Sequence, residues 1–251
     1  MCKCGQLHRP SLFSALHTAA TGTRRQWLLG LAATAAVGTS VGPLAWADNP
    51  APADPRPTPQ EALARLQHGN ARYVQGNNQA RTTTQGRSER TRGQWPYAAI
   101  LSCADSRVPP ELVFDAAEGE LFVVRLAGNI ASTEAIASLE YAVHVLQVPL
   151  IMVMGHSHCG AIAATLHMLQ SGASLPGHLP SLTQAIAPAL AQMPSEGTTA
   201  QRISQATALN VQRTVKQLQT VSPLISAKLS NAQLQIHGGV LDIASGQLSG
   251  V

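Results

Sequence analysis

Two short clusters hold the residues whose types and spacing could do chemistry: Cys103-Ala-Asp105-Ser-Arg107 and His156-Ser-His158-Cys159-Gly160. Two thiolates and one imidazole make a soft ligand set that suits Zn²⁺ and leaves a fourth position to fill. His156 is preferred to His158 as the nitrogen donor. Residues i and i+3 on a tight turn share a side, whereas adjacent residues point apart. A disulfide between Cys103 and Cys159 is the competing account of the two cysteines. It gives no role to His156, three residues before Cys159, or to Asp105 and Arg107 beside Cys103.

Both clusters must be carried on elements that bring them together. Three apolar runs read as buried strands: Tyr97 to Leu101, Glu120 to Leu126 and Pro149 to Met154. The runs are continuous rather than alternating, as in parallel strands covered on both faces. Each chemical cluster directly follows such a strand, and the carboxyl ends of parallel strands are where sites assemble. Ser132 to Leu146 has helical spacing, so the second and third strands form a right-handed strand-helix-strand unit. Further helices are expected over about Cys159 to Leu169, Leu182 to Leu190 and Thr198 to Leu218, with a late strand at Leu234 to His237. At the front, Thr58 reads as an N-cap with Pro59 at the first helical position, and the helix runs toward Gly76. Asn77 to Gly93, with Arg81, Arg87, Arg90 and Arg92, reads as a solvated arm or loop. The alternation predicts a single α/β domain with a mostly parallel β-sheet flanked by helices; the resemblance given below implies that the N-terminal helix belongs to an N-terminal helical arm.

The chain has 251 residues, 45% hydrophobic and only 12% charged, with a sequence pI near 9.1. That much apolar material excludes global disorder. A basic pI invites an anionic partner, but four of the 17 basic residues (Lys3, Arg9, Arg24, Arg25) precede Asp48 and no acid does. The remaining 13 basic side chains meet 13 acidic ones, so the body carries no net attraction for nucleic acid. Residues 1–47 read as a twin-arginine export signal: Thr23-Arg24-Arg25-Gln26-Trp27-Leu28-Leu29, an apolar run to Val41, then Ala45-Trp46-Ala47 before the cleavage point. Pro43 and the weak hydrophobicity of the run argue against a retained anchor, so no stable membrane association is expected after processing. Cys2 and Cys4, near His8, form a weak metal pattern inside that leader. Residues 48–58 read as a Pro-rich linker, and 59–251 as the folded domain, which the resemblance given below implies is catalytic, with 59–92 as its N-terminal helical arm. The expected location is the periplasm.

The motifs resemble those of the β-class carbonic anhydrases. The likeness rests on Cys103-x-Asp105-x-Arg107 with His156-x-x-Cys159-Gly160, and on the stretches 103–111, 124–129 (Val-Arg-Leu-Ala-Gly-Asn), 138–143, 210–215 (Asn-Val-Gln-Arg-Thr-Val) and 237–246, covering essentially everything from residue 60. The resemblance implies that Cys103, His156 and Cys159 bind one Zn²⁺ per subunit, and that Asp105 and Arg107 are a catalytic dyad held as a fork-like ion pair. It implies reversible hydration of CO₂ to bicarbonate and a proton by zinc-bound hydroxide, with Asp105 orienting that group. Two thiolates weaken the acidification of water, so a slightly alkaline working range is expected. In a closed state of the family, the residue matching Asp105 becomes the fourth metal ligand. Members with a bicarbonate-controlled form of that switch often carry Trp-x-Tyr-Asp late in the chain. Here the stretch reads Gly239-Val240-Leu241-Asp242, which implies an open resting site. Leu126 stands where many relatives have Asn. The resemblance also implies a homodimer or homotetramer in which the arm wraps a neighbour.

Two other functions use the same residues. A related zinc hydrolase acting on a sulfur analogue such as carbon disulfide would share the chemistry and differ only in its channel. A non-catalytic zinc-binding protein would need no dyad beside its metal. Gly128 and Gly160 are expected to permit close approach of backbone, and His144, His167, His178 and His237 to be surface or interface residues.

Overall fold

A computed structural model describes residues 55–79, 90–194 and 196–251. The leader, Cys2 and Cys4, the first part of the linker and most of the polar stretch after Gln79 lie outside the described residues. Helix α1 (Pro59–Val74) begins where the sequence places it. Thr58 caps it, Glu61 closes the reciprocal capping box, and Pro59 takes the first turn.

Strands β1 (Ala98–Ser102), β2 (Leu121–Arg125), β3 (Leu150–His156), β4 (Gln235–Leu241) and β5 (Leu248–Gly250) form one sheet. The order is β2-β1-β3-β4-β5; the first four are parallel and β5 is antiparallel. Helices α2 (Pro110–Val113), α3 (Thr133–His144), α4 (Gly160–Ser171), α5 (Leu179–Leu190), α6 (Thr199–Val221) and α7 (Pro223–Ser230) complete the fold. No helix among the described residues is long and apolar enough to cross a membrane.

Why the strand runs are continuously apolar is visible in the packing. Ile100, Met152 and Met154 enter a core cluster with α1, α4 and α5, while Leu101, Ile151 and Val153 enter a second cluster with α3, α6 and α7. Successive side chains point to opposite faces, and helices cover both. β4 runs four residues past the expected end at His237, through Gly238 and Gly239. A Cβ on Gly238 would lie 2.7 Å from Val211 Cγ1, so the glycines that weaken strand propensity are what allow α6 to lie on the sheet. The short elements α2, α7 and β5 had no signal long enough to register.

Topology fixes where a site can form. The chain steps outward from β1 to β2, then returns to the other side of β1 with β3 and continues to β4. The switch point therefore lies between the carboxyl ends of β1 and β3, where the two chemical clusters fall.

Candidate metal centre

Cys103 is the first residue after β1, His156 the last residue of β3, and Cys159 the N-cap of α4. β1 and β3 are adjacent and parallel, with Ser102 opposite Met154, so the two strands deliver Cys103 and His156 to the same edge. All three side chains are buried, and their ligand atoms lie within 4.8 Å of one another. Both cysteines are free thiols, so the disulfide alternative is not adopted.

His156 is oriented for metal. Its Nδ1 lies 2.9 Å from the Ser157 carbonyl oxygen, which can only accept, so Nδ1 carries the proton. Nε2 is then a lone pair, and it is buried without a hydrogen-bond partner. An orphan imidazole nitrogen facing two thiols is the arrangement a divalent soft cation satisfies. His158 is exposed, at φ 56, so the turn throws its ring outward and keeps only its carbonyl toward the site. The left-handed residue between His156 and Cys159 is the physical cause of the two imidazoles facing different ways.

The two thiols differ. Hydrogen bonding with the Cys159 thiol lowers Cys103 to about 4 against the cost of its burial, aided by His156 and the Gly128 N–H. The same bond, together with burial, pushes Cys159 well above the ordinary thiol value. One proton thus serves two sulfurs, and a bound cation would replace it.

Asp105 lies beside the triad. Arg107 donates to it through Nε at 2.9 Å and Nη2 at 2.8 Å, and its backbone N–H donates at 3.0 Å. The guanidinium holds the carboxyl far below the usual carboxylate range despite partial desolvation. Asp105 Oδ2 is 3.9 Å from His156 Nε2, so the carboxylate borders the position where a fourth ligand would sit. Arg107 Nη2 also donates to the His158 carbonyl, linking the loop after β1 to the loop after β3.

Three contributors carried no chemical role in the sequence reading, which gave only Gly128 a part, that of close backbone approach. Arg125, the last residue of β2, donates to the carbonyls of Cys103 and Asp105 and pins the loop that bears them. Gly128, at φ 73, donates its N–H to Cys103 Sγ at 3.3 Å. Asn210 on α6 donates to the Gly128 carbonyl at 2.8 Å. A charged residue closing an otherwise apolar strand was the one available hint, for Arg125. Gly128 meets the expectation of close approach, because a Cβ there would lie 2.7 Å from Ile186 Cδ1. Gly160 does not: a Cβ there meets nothing within 4 Å, and the residue simply opens α4 on the surface. His144, His167 and His178 are exposed, and His237 is half-buried against Gln235.

Residues 98–248 match the family model described as carbonic anhydrase. A carbonic anhydrase of Mycolicibacterium smegmatis is 37% identical over 197 residues, covering 77% of this chain and 94% of the relative. One from Mycobacterium tuberculosis is 35% identical over 194 residues, covering 77% and 93%. Among solved structures, a β-carbonic anhydrase of Aspergillus fumigatus superposes with a TM-score of 0.61 at 25% identity, covering 76% of this chain and 89% of that one. The chain belongs to the carbonic anhydrase family, in its β class. It is a zinc-dependent lyase that interconverts CO₂ and bicarbonate.

Proposed function

We propose that Cys103, His156 and Cys159 hold the zinc of this lyase, that Asp105 and Arg107 form its catalytic dyad, and that the chain works as an exported oligomer. The observation that carries the site assignment is the two-pronged Asp105–Arg107 pair standing 3.9 Å from an orphan His156 Nε2. When bound, the metal acidifies a water toward neutrality and so supplies hydroxide for attack on the carbon of CO₂.

The chain's own residues do the rest. Asp105 Oδ2 accepts a hydrogen bond from the reacting water and turns its lone pair toward substrate. Arg107 uses two donors on the carboxylate, which fixes its plane and keeps it ionised, so Asp105 accepts the bond without taking the proton. Arg125 fixes the backbone on either side of Ala104 and hence the distance between ligand and dyad. The pairing of Asp105 with Arg107 supports an open resting site, as does Leu241 at the family's tyrosine position. Asp105 becomes a fourth ligand only after leaving Arg107.

The site is tested by Asp105→Asn, which keeps the shape and removes the charge. Stopped-flow CO₂ hydration at pH 8–9 should fall by on the order of 10²-fold or more while zinc stoichiometry stays near one. Full activity in that variant overturns the dyad assignment.

Export rests on Arg24-Arg25, the apolar run and Ala45-Trp46-Ala47, and places the mature enzyme in the periplasm. The twin-arginine route carries folded proteins, which suits a chain that must take up a metal before it crosses. Assembly is supported at the mouth of the site. The Arg107 side chain is 50% exposed and that of Asp105 19%, so a neighbouring subunit would be needed to exclude bulk water there. The arm over 59–92 is the segment suited to reach it, as dimer or tetramer.

A further inference from the structure

We propose that Asn210 is a positioning residue for the metal centre: by holding the Gly128 carbonyl it fixes the backbone of Gly128, and with it the hydrogen bond that the Gly128 N–H donates to the Cys103 sulfur. The proposal rests on the reading that Cys103 is a metal ligand. Asn210 touches neither metal nor substrate and acts at second hand.

The loop between β2 and α3 needs holding. Gly128 at φ 73 and Asn129 at φ 44 are consecutive left-handed residues, a conformation that a non-glycine side chain such as Asn129 keeps only under constraint. Helix α6 supplies it at both ends. Asn210 Nδ2 donates to the Gly128 carbonyl at 2.8 Å, and Gln217 Nε2, two turns later on the same face, donates to the Ala131 carbonyl at 3.1 Å. Only the first clamp leads to the metal site. Gly128 presents its carbonyl to Asn210 and its N–H to Cys103 Sγ at 3.3 Å, so the two bonds fix one residue from opposite sides. Gly128 and Asn210 are both buried.

The bond to sulfur has a chemical consequence. An N–H directed at a thiolate withdraws charge from it and stabilises the deprotonated form, so the sulfur is a tuned rather than a full-strength donor. Without Asn210 Gly128 is held on one side only and its φ and ψ can relax, the bond from its N–H lengthens, and the sulfur gives more charge to whatever cation it holds.

The test uses the mature protein loaded with Co²⁺, whose sulfur-to-cobalt charge-transfer absorption reports the thiolate directly. Asn210→Leu and Asn210→Asp, neither of which donates to Gly128, should move that band to longer wavelength. Gln217→Leu, which leaves the other carbonyl unpaired, should lower stability and leave the band unmoved. The proposal is overturned by an unchanged band in folded Asn210 variants, or by an equal shift in Gln217→Leu. Should the Asn210 variants fail to fold, ¹¹³Cd-loaded wild type provides the check: a coupling between the metal and the Gly128 amide proton through sulfur is expected, and its absence refutes the bond. A wild-type Co²⁺ spectrum without any thiolate band would instead refute the ligand assignment itself.

Discussion

The two sulfurs at the centre hold a proton unequally, and that makes metal uptake depend on pH. The hydrogen bond they share holds Cys103 well below the ordinary thiol value and pushes Cys159 above it, so at neutral and mildly alkaline pH the metal-free pair carries one proton. Binding Zn²⁺ requires both as thiolates and expels that proton. Zinc affinity should therefore rise about tenfold per pH unit across this range. Burial opposes the imidazolium of His156, but the neighbouring Cys103 thiolate and the Ser157 carbonyl outweigh it and raise the ring's value, so a second proton must leave on the acid side and the slope steepens there. Chelator competition from pH 6 to 9 measures both; a flat profile contradicts the shared proton. Asp105 behaves oppositely. Its folded value lies below the unfolded one near 4, so its contribution to stability is complete above that value and is lost only as pH falls further. It remains a carboxylate throughout the alkaline working range, and the activity limb rising toward alkaline pH must come from the reacting water.

Helix α1 buries Ala62 and Leu66 in the core and is joined to the domain by close backbone contact as well. A Cβ on Gly69 would sit 1.8 Å from the Phe114 carbonyl oxygen, which belongs to rigid backbone and cannot step aside. Gly69→Ala should cost at least about 3 kcal/mol, seen as a lower urea midpoint with an unchanged slope. Beside that contact, Arg72 Nε donates to the fully buried carboxylate of Asp115. Arg72→Ala removes the charged partner and leaves the Gln79 N–H on that carboxylate, and should cost about 2 kcal/mol, discounted from a fully enclosed pair because Arg72 is 34% exposed. Asn70 adds a third tie, donating to the Val113 and Gly246 carbonyls and accepting from the Leu248 N–H. The helix itself was legible from Thr58, Pro59 and the spacing of Leu63 and Leu66. That Gly69 and Asn70 bind it to α2 and β5 was not, since both partners are distant in sequence and neither element announces itself.

At the scale of the molecule, the described residues build a site whose dyad opens to the surface. The mature protein should behave as a dimer or tetramer by light scattering, and a catalytically competent monomer would contradict the wrapped-arm arrangement. Mass spectrometry of the exported protein should find Asp48 at the amino terminus; retention of residues 1–47 in the active form would contradict the removable signal. The basic pI belongs to that leader, since the rest of the chain balances 13 basic against 13 acidic side chains.

By itself the sequence determines the residue types of the proposed ligands and dyad and the strands that carry them. These are local facts: a continuous apolar run declares a strand covered on both faces, and the polar residues after it occupy its carboxyl end. Tertiary structure alone decides the rest. The left-handed turn at His158 selects which histidine faces inward, and the adjacency of β1 and β3 brings Cys103 to His156 across more than fifty residues. Arg125, Gly128 and Asn210 acquire their roles only when β2, its following loop and α6 close around Cys103. A backbone N–H aimed at sulfur has no signature in residue type, because every residue except proline owns one.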